Sequence, residues 1–250
     1  MMQRSFIFAM AAIAGLVASA ARAEDYVVVE STAPAIKVGT EISAQAGLNV
    51  PDRARVVLLR ADGQMVTVDG PFQGVPKSTP AGAADSRLFV AITTLVRSGQ
   101  QQDNIQVAAV RATDAGWRAT HAESERDILA IDTMEGGDTC LYDPAAAELI
   151  RSPANQSQTS VLALTSAGSV AVAWPLGASR VPWPKEVALE DGANYVIEQE
   201  GHAGASMTTV HVLRREPGQS ELQRVAQLAE HGCTSQARLW LRMIAAKGQK

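Results

Sequence analysis

The chain has 250 residues, 46% of them hydrophobic, with a formal net charge of −4. A mildly acidic balance without a basic run excludes the electrostatic footprint of a nucleic-acid-binding protein and gives no handle on anionic lipid. Two cysteines, Cys140 and Cys233, are the whole thiol inventory, and no Cys-x-x-Cys or His-x-x-x-His spacing suggests a zinc site.

Residues 1–23 have the three parts of a secretory signal peptide: basic Arg4, an apolar stretch from Phe6 to Ala20, and the small-x-small ending Ala21-Arg22-Ala23. A membrane span needs roughly 20 consecutive apolar residues. This stretch is shorter and rich in Gly and Ala, so cleavage near Ala23 is expected, which leaves a periplasmic or secreted protein with no stable membrane anchor. Removing Arg4 and Arg22 moves the formal charge from −4 to −6.

From Asp25 the texture becomes short apolar runs between Gly, Pro and Asn/Asp signals, the pattern of antiparallel strands. Tyr26–Val29, Lys37–Ile42 and Gly47–Pro51 are such runs. Arg55–Arg60 and Met65–Val68 flank Ala61-Asp62-Gly63-Gln64, and an Asp-Gly turn between apolar runs predicts a hairpin. Gly70-Pro71 ends its second strand. A first β module is therefore assigned to residues 24–77.

Residues 78–120 read as a linker carrying a bridging helix. Leu88, Ala91, Ile92, Leu95 and Val96 share one helical stripe, with Asp85 or Ser86 as the cap, Gly99 as the end and a polar loop over Gln100–Asn104. Residues 121–215 return to strand texture over Ile128–Ile131, Thr139–Tyr142, Glu148–Ile150, Ser160–Leu164, Val170–Trp174, Tyr195–Ile197 and Thr209–Leu213. Turns fall at Gly136-Gly137, Asp143-Pro144, Ala167-Gly168 and Asp191-Gly192, and the close spacing predicts a sandwich or partly closed barrel.

Residues 216–250 predict a helical hairpin, with stripes Leu222, Val225, Leu228, Ala229 and Ala237, Trp240, Leu241, Ile244 separated at His231-Gly232. The fold expected is mainly β with α: two small β modules, a bridging helix and the hairpin. In an oxidising compartment Cys140 and Cys233 are most economically one disulfide, tying the hairpin to the second β module. Two buried thiols, or a reactive thiolate at Cys233 beside a helix start, are the alternatives.

The order Val38-Gly39-x-x-Ile42, Leu48-x-Val50-Pro51, Val56-x-Leu58-Leu59-x-x-Asp62-Gly63, Val66-x-Val68 and Gly70-Pro71 resembles the FecR-type periplasmic β domain. The resemblance spans residues 36–72 and implies a small β module. Proteins of that family couple outer-membrane events to a sigma factor through a membrane-spanning segment, and since no such segment is found here, only the fold suggestion carries over.

No catalytic constellation emerges. A Gly-x-Ser-x-Gly elbow is absent, and His121, His202, His211 and His231 read as surface or sheet residues. Glu123, Glu125, Asp127 and Asp132 read as a solvated charged loop without the calcium-loop pattern, and Glu135-Gly136-Gly137-Asp138 carries acid that repels phosphate. Neither metal nor cofactor is expected. Trp174 and Trp183 bracket a Pro-rich segment and Trp117 sits in a loop, so these rings are either core or a platform for a glycan or an envelope protein. The function expected is a non-catalytic envelope protein that binds, scaffolds or senses. The alternatives are a hydrolase with an unfamiliar site and a structural subunit of an oligomer.

Overall fold

A computed structural model describes residues 25–77, 86–106, 124–151, 158–164, 168–200 and 204–247. The first unit has strands β1 (Asp25–Ser31), β2 (Glu41–Ser43), β3 (Leu48–Val50), β4 (Arg55–Arg60), β5 (Met65–Asp69) and β6 (Phe72–Gly74). Four form an antiparallel sheet in the order β2-β1-β4-β5, while β3 pairs with β6. Strands β4 and β5 are the hairpin expected around Asp62-Gly63, with Val57 opposite Thr67 and Leu59 opposite Met65. Gly63 sits at φ 80°, and a Cβ there would lie 3.1 Å from Leu88 Cδ2, so the turn needs glycine for both conformation and space. Of the Lys37–Ile42 run, only its end is strand, because residues 34–40 turn to bring β2 back alongside β1.

Strands β1 and β4 each carry four consecutive apolar residues, Tyr26–Val29 and Val56–Leu59, because both faces are covered. Tyr26, Val28, Val56 and Leu58 pack with Leu48, Val50 and Val68 on one side. Val27, Val29, Val57 and Leu59 face the opposite side and pack against helices. The first of these is α1 (Ser86–Gln106), which buries Leu88, Ile92, Leu95 and Val96 as its stripe requires. It does not stop at Gly99, and the stretch expected as a polar loop is its last turns. A glycine inside a helix costs only about 1 kcal/mol, and Gly99 does not adopt the left-handed φ that would make it a cap.

The second unit holds α2 (Glu125–Leu129), β7 (Ile131–Asp132), β8 (Gly137–Leu141), a 3-10 turn over Pro144–Ala146, β9 (Glu148–Ile150), β10 (Gln158–Leu164), β11 (Gly168–Trp174), β12 (Arg180–Pro182), β13 (Asn194–Gln199) and β14 (Ala205–Val212). Of the run expected as a strand over Ile128–Ile131, the first half, Ile128 and Leu129, belongs to α2. Ser124 and Asp127 form a reciprocal capping box that fixes the helix start, so only Ile131 and Asp132 enter a ladder. A five-stranded sheet, β11-β10-β13-β14-β8, faces a three-stranded one, β12-β9-β7, around Leu149, Trp174, Val181, Tyr195, Ile197 and Val210. Among the described residues no sheet closes on itself, so the open sandwich is the form taken. Strand β8 joins β14 in parallel, as β7 joins β9, departing from a purely antiparallel plan.

Helices α3 (Glu221–Glu230) and α4 (Thr234–Lys247) form the expected hairpin. Ser220 and Gln223 box the start of α3, and Gly232, at φ 79°, turns the chain beside Asp138. Cys140 and Cys233 are joined, with S–S 1.99 Å and Cα–Cα 5.9 Å. Closing a loop of 93 residues stabilises by at most about 4–5 kcal/mol in the chain-entropy model. The hairpin also packs on the first unit: one core joins Val27, Val57, Ile92, Cys140, Val225 and Trp240. The helices are thus a middle layer shared by both β units.

Candidate functional site

Between that layer and the first sheet lies a cleft of about 610 Å3. Its floor is apolar, formed by Val29 at the end of β1, Ile36 and Val38 from the following loop, Val96 of α1 and Leu241 of α4. The rim is charged and mostly cationic, with Lys37, Arg238 and Arg242 against Glu30. Lys37 and Arg242 are exposed. Arg238 donates to Ser98 Oγ at 3.2 Å, and Arg97 donates to Glu41 Oε1 at 2.9 Å, so the walls from α4, α1 and β2 are tied together. The amphipathic pattern of α4 exposed its apolar stripe in the sequence, but that Arg238 and Arg242 flank this stripe at i and i+4 was the signal left unused.

A second cavity, of about 450 Å3, lies where α2, Tyr142 and Glu148 meet. Of the carboxylates expected in a solvated loop, Glu123 lies outside the described residues, and Glu125, Asp127 and Asp132 are instead engaged by partners. Glu148 accepts from Arg126 Nε at 2.7 Å and from Arg180 Nη1 at 2.6 Å, and Arg180 also pairs with Asp127. Glu125 pairs with Arg215 and, at 3.4 Å, with Arg224. Asp132 accepts from the Met134 N–H at 2.8 Å. The hydrogen bond from Arg126 holds the Glu148 carboxyl below its usual range against the opposing effect of burial, and Arg180 adds to that lowering. Burial pushes the Tyr142 phenol up to about 12, while Arg224 pulls the other way. Tyr142 donates to Gln227 Oε1 at 3.0 Å and lies beneath the Arg215 guanidinium. This is a cross-linked seam rather than an open recognition surface.

His211 Nε2 lies 2.8 Å from Asp138 Oδ1, and the His231 ring stands 6.2 Å from that of His211. A base and its carboxylate orienter are the start of a hydrolytic site, but a nucleophile must also be within reach. Ser235, in the same region, donates to Glu135 Oε1 at 2.8 Å, and both cysteine sulfurs are spent in the disulfide. Among the described residues no group of three His, Cys, Asp or Glu side chains could hold a metal ion.

Of the two readings open for the tryptophans, Trp174 and Trp183 take the core one. Trp174 is 1% exposed and Trp183 8% exposed, both within the second core. The Arg151 guanidinium stacks over Trp174 at 4.7 Å, and Trp183 meets Tyr195 edge-on and donates to the Val187 carbonyl at 2.7 Å. With few aromatics in the chain, the sandwich takes these rings for its interior. Trp117, like His121 and His202, lies outside the described residues, as do residues 1–24.

Among the described residues no helix is long and apolar enough to cross a membrane. Comparison of the chain with protein-family models, with curated proteins and with solved structures finds no match.

Proposed function

We propose that the chain is an exported, non-catalytic binding or scaffolding protein of the cell envelope, and that the cationic cleft beside β1 is where it holds its partner. The observation that carries this reading is the cleft itself: an apolar floor rimmed by Lys37, Arg238 and Arg242, with Glu30 the one carboxylate lining it among the described residues. Its volume falls within the roughly 300–1,000 Å3 of ligand sites, and its cations suit an anionic partner rather than bond-breaking chemistry. Export is supported by the signal-like residues 1–23 and by a fully buried disulfide that ties the helical layer to the second β unit. The β4–β5 hairpin at Asp62-Gly63 agrees with a FecR-like reading of the first unit.

Fractionation with N-terminal sequencing, joined to in-cell cross-linking, tests the proposal. The envelope fraction should contain a chain beginning at Glu24, and the double variant Lys37→Glu/Arg242→Glu should lose cross-linked partner while keeping its thermal midpoint within a few degrees. An intact Met1 on cytosolic protein, or undiminished cross-linking by the double variant, refutes it.

A further inference from the structure

The cleft borders an incompletely paired strand. Strand β2 pairs with Asp25, Tyr26 and Val27 of β1, and Val28 completes that side by donating to the Thr40 carbonyl and accepting from the Gly39 N–H. The register of β1 then shifts between Val28 and Glu30, after which Glu30 and Ser31 continue opposite Val57 and Val56 of β4. On the outer side no described strand pairs with Val29–Ser31, and these three residues line the cleft. An edge of this kind is a template for another extended segment.

The charges on the facing helix have the period of a strand. Arg238 and Arg242 are four residues apart on α4, a rise of about 6 Å. Side chains at i and i+2 of an extended peptide lie about 6.6 Å apart on one face. Carboxylates at alternate positions of such a peptide can therefore meet both guanidiniums, each of which has five N–H donors to share, while the intervening side chains point to the opposite face of the sheet, where Ile36 and Val38 border the other core. Resting on the binding reading above, we infer that the cleft receives an extended peptide segment with alternating acidic and apolar residues, added as a short strand to the Val29–Ser31 edge of β1.

The test is NMR titration of the full isotope-labelled chain with the capped peptide Val-Asp-Val-Asp-Val. Three further probes are the Val-Lys-Val-Lys-Val analogue, a backbone N-methylated Val-Asp-Val-Asp-Val, and sodium dodecanoate below its micelle concentration. Saturable shifts centred on Val29–Ser31 and Arg238–Arg242 are expected with the first peptide. Binding should weaken about tenfold or more on N-methylation and in Arg242→Glu, whose exposed side chain leaves the remaining spectrum as a check of folding, and the lysine analogue should not bind. Equal binding of the N-methylated peptide overturns the strand pairing, and equal binding of the lysine analogue overturns the charge complementarity. Shifts with dodecanoate but not with the peptide overturn the inference and leave the cleft as a site for anionic amphiphiles, whereas silence with every probe removes the binding reading as well.

Discussion

Gln236 gives the sharpest test of how the middle layer is held to the second β unit. It is 1% exposed at the start of α4. Its Oε1 accepts from the Cys140 N–H at 2.7 Å, and its Nε2 donates to the Cys140 carbonyl at 3.1 Å and the Ile128 carbonyl at 2.9 Å. Strand β8 is an edge of the five-stranded sheet, so this one amide stands in for the strand that would otherwise satisfy Cys140. Gln236→Leu keeps the bulk and removes all three bonds. At about 1–3 kcal/mol for each buried group left without a partner, and with two carbonyls sharing one nitrogen, the expected loss is about 3–5 kcal/mol. In urea, with a slope of about 2 kcal/mol per M, the midpoint falls by about 1.5–2.5 M at unchanged slope. Gln236→Glu still offers an acceptor to the Cys140 N–H but turns a carboxylate on two carbonyls, and should be the less stable of the two. A drop under about 0.5 M for the leucine variant, or a glutamate variant as stable as wild type, refutes this account.

What could be read from the sequence was local. The β4–β5 hairpin is written in four consecutive turn residues, and the α3–α4 hairpin in two apolar stripes around His231-Gly232. The short run at Ile128 was misread because four apolar-leaning residues do not decide between periods, and the capping box at Ser124 that decides it lies outside the run. The doubly buried β1 and β4 lack the alternation that would have revealed the helical layer against them.

The cleft was not legible because its parts lie about two hundred residues apart along the chain: Val29–Val38 on one wall and Arg238–Arg242 on the other. Separation in sequence, here 53 to 99 residues, also hid the partners of the acidic cluster, since Asp127 finds Arg180 and Glu125 finds Arg215 and Arg224 only after the chain folds. The tryptophans illustrate the converse. A proline-flanked position looks exposed by its backbone, yet Trp183 and Trp174 are carried inward by the alternation of β12 and β11 that follows and precedes the irregular segment.

Burial of Trp183 sets a direct expectation. Trp183→Ala should destabilise by about 3–5 kcal/mol in chemical denaturation, and a midpoint unchanged within error would return this ring to the surface. Tyr142 supplies a pH dependence of known sign. Its folded pKa is pushed up to about 12 by burial, above the roughly 10 of an unfolded tyrosine. The neutral phenol therefore stabilises the fold fully below pH 10, and that contribution disappears as pH rises toward 12. Two units correspond to about 2.7 kcal/mol, and partial exposure of the ring reduces this to about 1–2 kcal/mol. Because Tyr195 is also shifted upward by burial, the quantity to measure is the difference in unfolding free energy between the wild type and Tyr142→Phe across that window. The phenylalanine variant, which loses the bond to Gln227, should start lower and decline less, so the two curves converge with rising pH. Parallel curves would refute the assignment of the alkaline loss to this seam.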